Sequence, residues 1–175
     1  MKTLIGLCLS GRMFVSMANL LSLFILTSFL SADDNARGNL KYKGPKSDFE
    51  IKFKYAYFVS GPDAFDSGKT IRRLIFTASD ISDKLKACEN LRCGDRYMDG
   101  IQFDLDAGRR VLYWMSLDKQ LVQYSGTVEK EALKLTNDTA DKIAGKLVVN
   151  DSAAGGPAVE VEFDAPILKA YKKYD

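Results

Sequence analysis

Histidine is absent from the 175-residue chain. Its absence removes Ser-His-Asp and Cys-His nucleophile systems and every imidazole metal site. Catalysis would then rest on a carboxylate pair or a Ser/Lys arrangement. The densest carboxylates, Glu160, Glu162 and Asp164, alternate with Val159, Val161 and Phe163, and so read as the wet face of a strand. The chain is therefore expected not to be an enzyme, with a carboxylate-based hydrolase as a distant alternative.

Acidic residues are missing from the first 32 positions, where Lys2 and Arg12 are the only charges. A basic start, the apolar "LLSLFIL" run and a small-residue end at Ser31-Ala32 predict an export signal over residues 1–32. Leu30 stands where a cleavage site prefers a small residue, and about 20 uncharged residues can span a bilayer. An uncleaved anchor is thus the alternative, and Met13 or Met17 could open a shorter leader. In every version residues 33–175 lie outside the cytoplasm, because the positive charges precede the apolar run and two aspartates follow it. Their length suits one domain.

That body has no excess charge. Two of the 25 basic residues belong to the leader, leaving 23 against 23 acidic residues. Neutrality argues against nucleic acid, which calls for a basic face, and gives no cause for membrane contact except through an uncleaved leader. Cysteine is scarce too. Of three, Cys8 follows Leu7, where lipid attachment needs Gly, Ala or Ser, so the lipoprotein reading fails. Cys88 and Cys93, in "ACENLRCG", form the simplest pair for an exported chain, a structural disulfide. A redox pair prefers two intervening residues rather than four, and a metal site would lack its other half.

What the chain does contain is alternation. In "FEIKFKYAYFV", Phe49, Ile51, Phe53, Tyr55, Tyr57 and Val59 alternate with Glu50, Lys52, Lys54, Ala56 and Phe58, which predicts one half-buried strand. The carboxylate face of "VEVEFDA" near the end complements Lys52 and Lys54 and predicts that these two strands are neighbours. Between them "TIRRLIFTA", "GIQFDLD", "RRVLYWMSL", "LVQYSGTVE" and "KIAGKLVVN" read as strands, with a further short one around Leu133 to Leu135. "DAGR" (106–109) suits a tight hairpin with Gly108 at positive φ, "DKQ" (118–120) suits another, and "NDSAAGGP" (150–157) a flexible loop. "SDISDKLKACENL" (79–91) predicts a helix capped by Ser79 or Ser82, with Ile81, Leu85 and Cys88 on one face. No internal repeat appears. The expected fold is all-β, an antiparallel β-sandwich or small barrel with one short helix.

Two motifs imitate ligand sites. "GPDAFDSGKT" (61–70) ends like a phosphate loop, but six residues rather than four separate its first glycine from Gly68-Lys69. The strand-like "IRRLIFTA" follows where a helix should start, so the stretch predicts a strand–turn–strand connection and no nucleotide. "DLDAG" opens like a calcium loop with Asp104, Asp106 and Gly108, yet Ala107 replaces a ligand and no suitable Glu follows. Alternation puts both aspartates on a solvated face, with weak calcium binding as the alternative. "NDT" (137–139) and "NDS" (150–152) match the N-glycosylation pattern, which is of no consequence in a bacterium.

Together "AYFVSGPD" (56–63), "TIRRLIFTASDIS" (70–82), the cysteine pair, "VQYSG" (122–126) and "GGPAVEVEFDA" (155–165) resemble a group of small exported bacterial proteins, β-rich and of unassigned function. The resemblance covers most of residues 33–175 and implies a bacterial periplasmic protein. It carries no catalytic motif.

Binding is the function that remains, with no cofactor. Loops on a rigid sandwich commonly carry recognition, which points to a rim of Pro62, Asp63, Phe65 and Asp66. Phe58, on the polar face of its strand beside Gly61-Pro62, and Trp114, opposite in face to Tyr113, are the candidate aromatic contacts. The expected partner is another envelope or secreted protein, as for an inhibitor or immunity protein. The alternative is a carrier of a lipid, sugar or metal, in a barrel mouth lined by Tyr55, Tyr57 and Tyr113.

Overall fold

The computed structural model describes residues 34–175, so the predicted leader lies outside the described residues. No helix among them is long and apolar enough to cross a membrane. Strands β1 (Ala36–Lys43), β2 (Asp48–Phe53), β3 (Tyr55–Pro62) and β4 (Thr70–Thr77) come first. A short helix, α1 (Ser82–Ala87), and a 3₁₀ segment (Arg92–Tyr97) follow. The chain then forms β5 (Gly100–Asp104), β6 (Val111–Leu117), β7 (Val122–Val128), β8 (Leu133–Asp138), β9 (Lys142–Asn150) and β10 (Ala158–Ala170).

These strands make one curled sheet, a half-barrel that closes on itself like a sandwich. Its first part runs β2-β1-β10-β9-β8 and its second β10-β3-β4-β5-β6-β7. Strand β10 belongs to both. Its first half pairs antiparallel with β1 on one side and β9 on the other, and its end runs parallel to β3. The crossing point follows Pro166, with a register shift between Ile167 and Lys169. Proline has no N–H to give a ladder, so it suits the place where a strand leaves one partner for another. Leu40, Phe58, Leu74, Phe76, Phe103, Tyr113 and Val161 fill the space inside the curl. Each such burial stabilises by about 1.5–3 kcal/mol.

The expected strand over residues 49–59 divides at Lys54. Its N–H donates to the Thr77 carbonyl (3.1 Å), and its own carbonyl accepts from the Ala36 N–H (3.0 Å). This break reverses the alternation. Phe49, Ile51 and Phe53 face the inner core, and beyond the break Ala56 and Phe58 do so, turning Tyr55, Tyr57 and Val59 outward. Phe58 is therefore 1% exposed and is not the surface contact expected of it. Nor do Tyr55 and Tyr57 share a cavity with Tyr113, which lies on the other side of the sheet.

The carboxylate strand finds lysines, but different ones. Glu160 and Glu162 pair with Lys146 (2.5 and 3.5 Å) and Asp164 with Lys142 (2.8 Å), all from neighbouring β9. Charge complementarity across strands holds; Lys52 and Lys54 are not its source, because β1 stands between β2 and β10. Gly108 does not take a positive φ, since the β5–β6 connection is a wide loop over 105–110. Among the described residues the left-handed ones other than glycine are Asp118, Lys119 and Gln120 (φ 51°, 55° and 73°) in the β6–β7 turn.

Helix α1 is shorter than the sequence suggests and no serine side chain caps it. Asp80 accepts the Ser82 N–H instead (2.8 Å). Its predicted face is correct, because Ile81, Leu85 and Cys88 are all buried. Cys88 and Cys93 are disulfide-bonded and tie α1 to the 3₁₀ segment. Replacing both by alanine is expected to cost about 2 kcal/mol of stability, the entropy of so short a loop. Reversible urea denaturation measures this; a loss below about 0.5 kcal/mol, within ordinary surface-mutation scatter, would mean that the backbone bonds to the tail already fix the turn.

Candidate functional site

The outer side of the β3–β7 sheet is covered at one end and open at the other. Tyr57, Val59 and Ile75 pack beneath Leu85, Leu91 and Tyr171 from α1, the following loop and the C-terminal tail. Polar bonds fix this cover. The Tyr57 hydroxyl donates to Asp80 (2.7 Å) and accepts from the Ile81 N–H (2.8 Å), and the Tyr171 hydroxyl donates to the Leu85 carbonyl (2.7 Å). Burial pushes the Tyr57 phenol well above the usual tyrosine range, which keeps it protonated as a donor. The tail also accepts backbone bonds from Leu91 and Arg92 through Lys173 and Tyr174.

Beyond this cover, over β5, β6 and β7, lies an open recess of about 680 Å³. Its floor is built around Arg73, which is 2% exposed. Register places Arg73 opposite Asp104, and the guanidinium holds that carboxylate with two bonds (2.6 and 3.0 Å). A third bond reaches Asp95 of the 3₁₀ segment (3.1 Å), and the guanidinium carbon lies 5.9 Å from the centre of the Trp114 ring. The Asp95 oxygen also accepts from the Gln102 amide (3.2 Å). Partial burial pushes the Asp95 carboxyl above the usual carboxylate range, against the pull of Arg73 and Gln102 and with the help of Asp104.

Two further floor atoms, Gln102 Oε1 and Ser116 Oγ, are buried with no hydrogen-bond partner in the protein. Each such group costs about 1–3 kcal/mol. At the rim, Gln120 keeps its left-handed backbone while its side chain donates to the Asp95 carbonyl (3.1 Å). An L-residue held there costs about 1–2 kcal/mol. The tight hairpin accounts for that backbone, so the unpartnered floor atoms are the feature that stability alone does not explain.

The structure brings together two of the residues expected to bind. Phe65, fully exposed on the β3–β4 loop, and half-buried Trp114 both line the recess. Pro62, Asp63 and Asp66 shape that loop without lining it. The Asp63 carboxylate accepts the Phe65 and Asp66 N–H groups (2.7 and 3.2 Å), and Asp66 accepts the Gly68 N–H (3.0 Å). The phosphate-loop lookalike is thus a pair of aspartate-stapled turns between two strands.

The calcium lookalike dissolves in the same way. Asp104 is buried rather than solvated, 4% exposed, with both oxygens on Arg73. Asp106 belongs to Arg72, which holds it with bonds of 2.8 and 3.0 Å and also pairs with Asp138. Although desolvation opposes it, Arg72 holds the Asp106 carboxyl below the usual range. Among the described residues no group of three acidic or cysteine side chains is placed to hold a metal.

Sequence reasoning missed Arg73, Asp95, Gln102, Ser116 and Gln123. One signal was available: two adjacent arginines in an otherwise apolar strand must face opposite sides, and each side then needs a carboxylate. Compared with protein-family models, curated proteins and solved structures, the chain matches none.

Proposed function

We propose that the chain is a non-catalytic binding module working outside the cytoplasm, and that the recess over β5–β7 is its binding surface. The observation that carries this is a polar, charge-paired floor beside two accessible aromatic rings. A hydrolase of the two-carboxylate kind needs both carboxyls to face the bond being broken. Asp95 is 39% exposed and could do so; Asp104 is shut away with both oxygens engaged. The basic, apolar leader and the Cys88–Cys93 bond support export.

Of the two ligand classes compatible with the sequence, the recess favours a small ligand over a protein partner. Its volume falls within the range of small-molecule sites. Large apolar side chains exposed among the described residues are few, namely Phe65, Tyr97, Leu121 and Val148, and they come from four different segments. Phe65 alone favours the second reading, a protein partner, because a fully exposed aromatic at a loop tip is an efficient anchor.

Immobilised oxidised protein tests both readings against envelope protein and small-molecule extracts. Wild type is compared with Phe65→Ala/Trp114→Ala, and bound species are identified by mass spectrometry. The expected result is one species that wild type retains and the variant loses. Equal retention by both proteins would remove the recess as the binding surface.

A further inference from the structure

Resting on the recess as a binding surface, we propose that its ligand is a neutral saccharide. The formal charges at the recess already have counter-charges within the chain. Arg73 is shared by Asp104 and Asp95, and Arg92 lies 3.9 Å from Asp175. At Arg73 and Asp95 an ionic ligand would therefore compete with an existing pair, and only the exposed Arg92 is loosely held. A lipid tail fits no better, since an acyl chain needs an enclosed apolar cavity and this recess is open, with polar side chains across its floor.

A sugar ring matches what is offered. Its hydroxyls each donate and accept, and the open side of the recess presents groups of both kinds: the Asp95 carboxylate, the Ser125 hydroxyl and the amide of exposed Gln123, which keeps one N–H on the Gln120 carbonyl (3.3 Å). The C–H face of a sugar is apolar and flat, and Trp114 and Phe65 supply rings to receive it. The polar floor is costly to the empty protein, as Gln102 Oε1 and Ser116 Oγ show, and that cost is intelligible where polar ligands are bound. Ser116 faces Gln123 directly across the β6–β7 ladder, so floor and rim are one hydrogen-bonding surface.

Trp114 is the chain's sole tryptophan, so its fluorescence reports on the recess alone. The full chain, exported and oxidised, is titrated with neutral tri- and tetrasaccharides of glucose, mannose and N-acetylglucosamine. Glucuronate oligosaccharides, chitosan oligomers and dodecanoate form the anionic, cationic and apolar arms. A saturable emission change with at least one neutral sugar is expected. Binding should weaken at least tenfold in Phe65→Ala and in Gln123→Ala, both at exposed positions that leave the fold intact. Val148→Ala, on the other part of the sheet, should bind like wild type.

A response to a charged or apolar arm alone overturns the saccharide and keeps the recess. Silence across the panel also overturns the saccharide; if the extract partner is then retained equally by wild type and Phe65→Ala/Trp114→Ala, the recess reading falls with it. Binding unaffected by both recess variants places the sugar elsewhere and overturns the proposal as well.

Discussion

Asp104→Ala is expected to destabilise the folded chain by about 3–5 kcal/mol, the usual cost of leaving a buried charge without its partner. Arg73 and Asp104 are 2% and 4% exposed, and the carboxylate takes two of the guanidinium's bonds. Asp95 takes the third and cannot replace the lost pair, since it approaches from the rim with one oxygen. In the intact protein burial disfavours the Arg73 charge, yet the Asp104 bonds hold its pKa above even the usual arginine value; the variant keeps the burial and loses those bonds. The double variant Arg73→Met/Asp104→Leu should recover much of the loss, because well-packed apolar groups often replace a buried ion pair at little cost. Chemical denaturation of both variants decides the matter. A single variant within about 1 kcal/mol of wild type, the range of an exposed ion pair, would mean that water reaches the pair.

The same pair shows what a sequence conceals. Strand-like composition correctly located β4, β6, β7 and β9; the period of two is plain in β7 and along most of β9, and is lost in β4, whose two faces are both buried. Alternation failed at residues 49–59, where a continuous period ran across a break. Lys54 spends its backbone groups on Thr77 and Ala36, partners that no local pattern reveals. Phe58 looked exposed only because the strand was read as one piece. β1 passed unnoticed, since "ARGNLKYK" has too few apolar residues to alternate; its burial depends on lying between β2 and β10.

Only the aromatic site residues were legible; exposure alone did not mark one, since exposed Gln123 was missed. Phe65 was found because an aromatic among turn residues stands out locally, and Trp114 because it must face opposite to Tyr113. Arg73, Asp95 and Gln102 converge from β4, the 3₁₀ segment and β5. Their meeting depends on the register of β4 with β5 and on where the Cys88–Cys93 loop lays the 3₁₀ segment. Neither fact is written in any short stretch. The aspartates of "DLDAG" illustrate the cost of reading locally. Their spacing resembles calcium ligation, whereas their partners are the consecutive arginines of the preceding strand.

Gly38→Ala is expected to cost about 1–3 kcal/mol, whereas Gly108→Ala should be neutral or slightly stabilising. Gly38 sits in β1 opposite Val161 of β10 and Phe53 of β2. A Cβ there would lie 2.0 Å from the Glu160 carbonyl oxygen and 2.6 Å from the Val161 Cα, both backbone atoms that no rotamer can move aside. Gly145 of β9 makes a similar approach, with its Cβ position 2.2 Å from the Lys134 carbonyl oxygen of β8. The two glycines lie in the strands flanking β10, where the sheet must curl tightly enough to close over its core. Gly108 has nothing within 4 Å of its Cβ position and no positive φ, so alanine there only reduces the freedom of the unfolded chain. Thermal melts of the two variants measure the difference, and a Gly38→Ala melting temperature equal to that of Gly108→Ala would mean that β1 can move away from β10 without loss. Because β10 also runs on into the parallel pairing with β3 and the tail that covers α1, the damage should spread. Trp114 emission in Gly38→Ala would then red-shift at temperatures where Gly108→Ala still reports an intact recess.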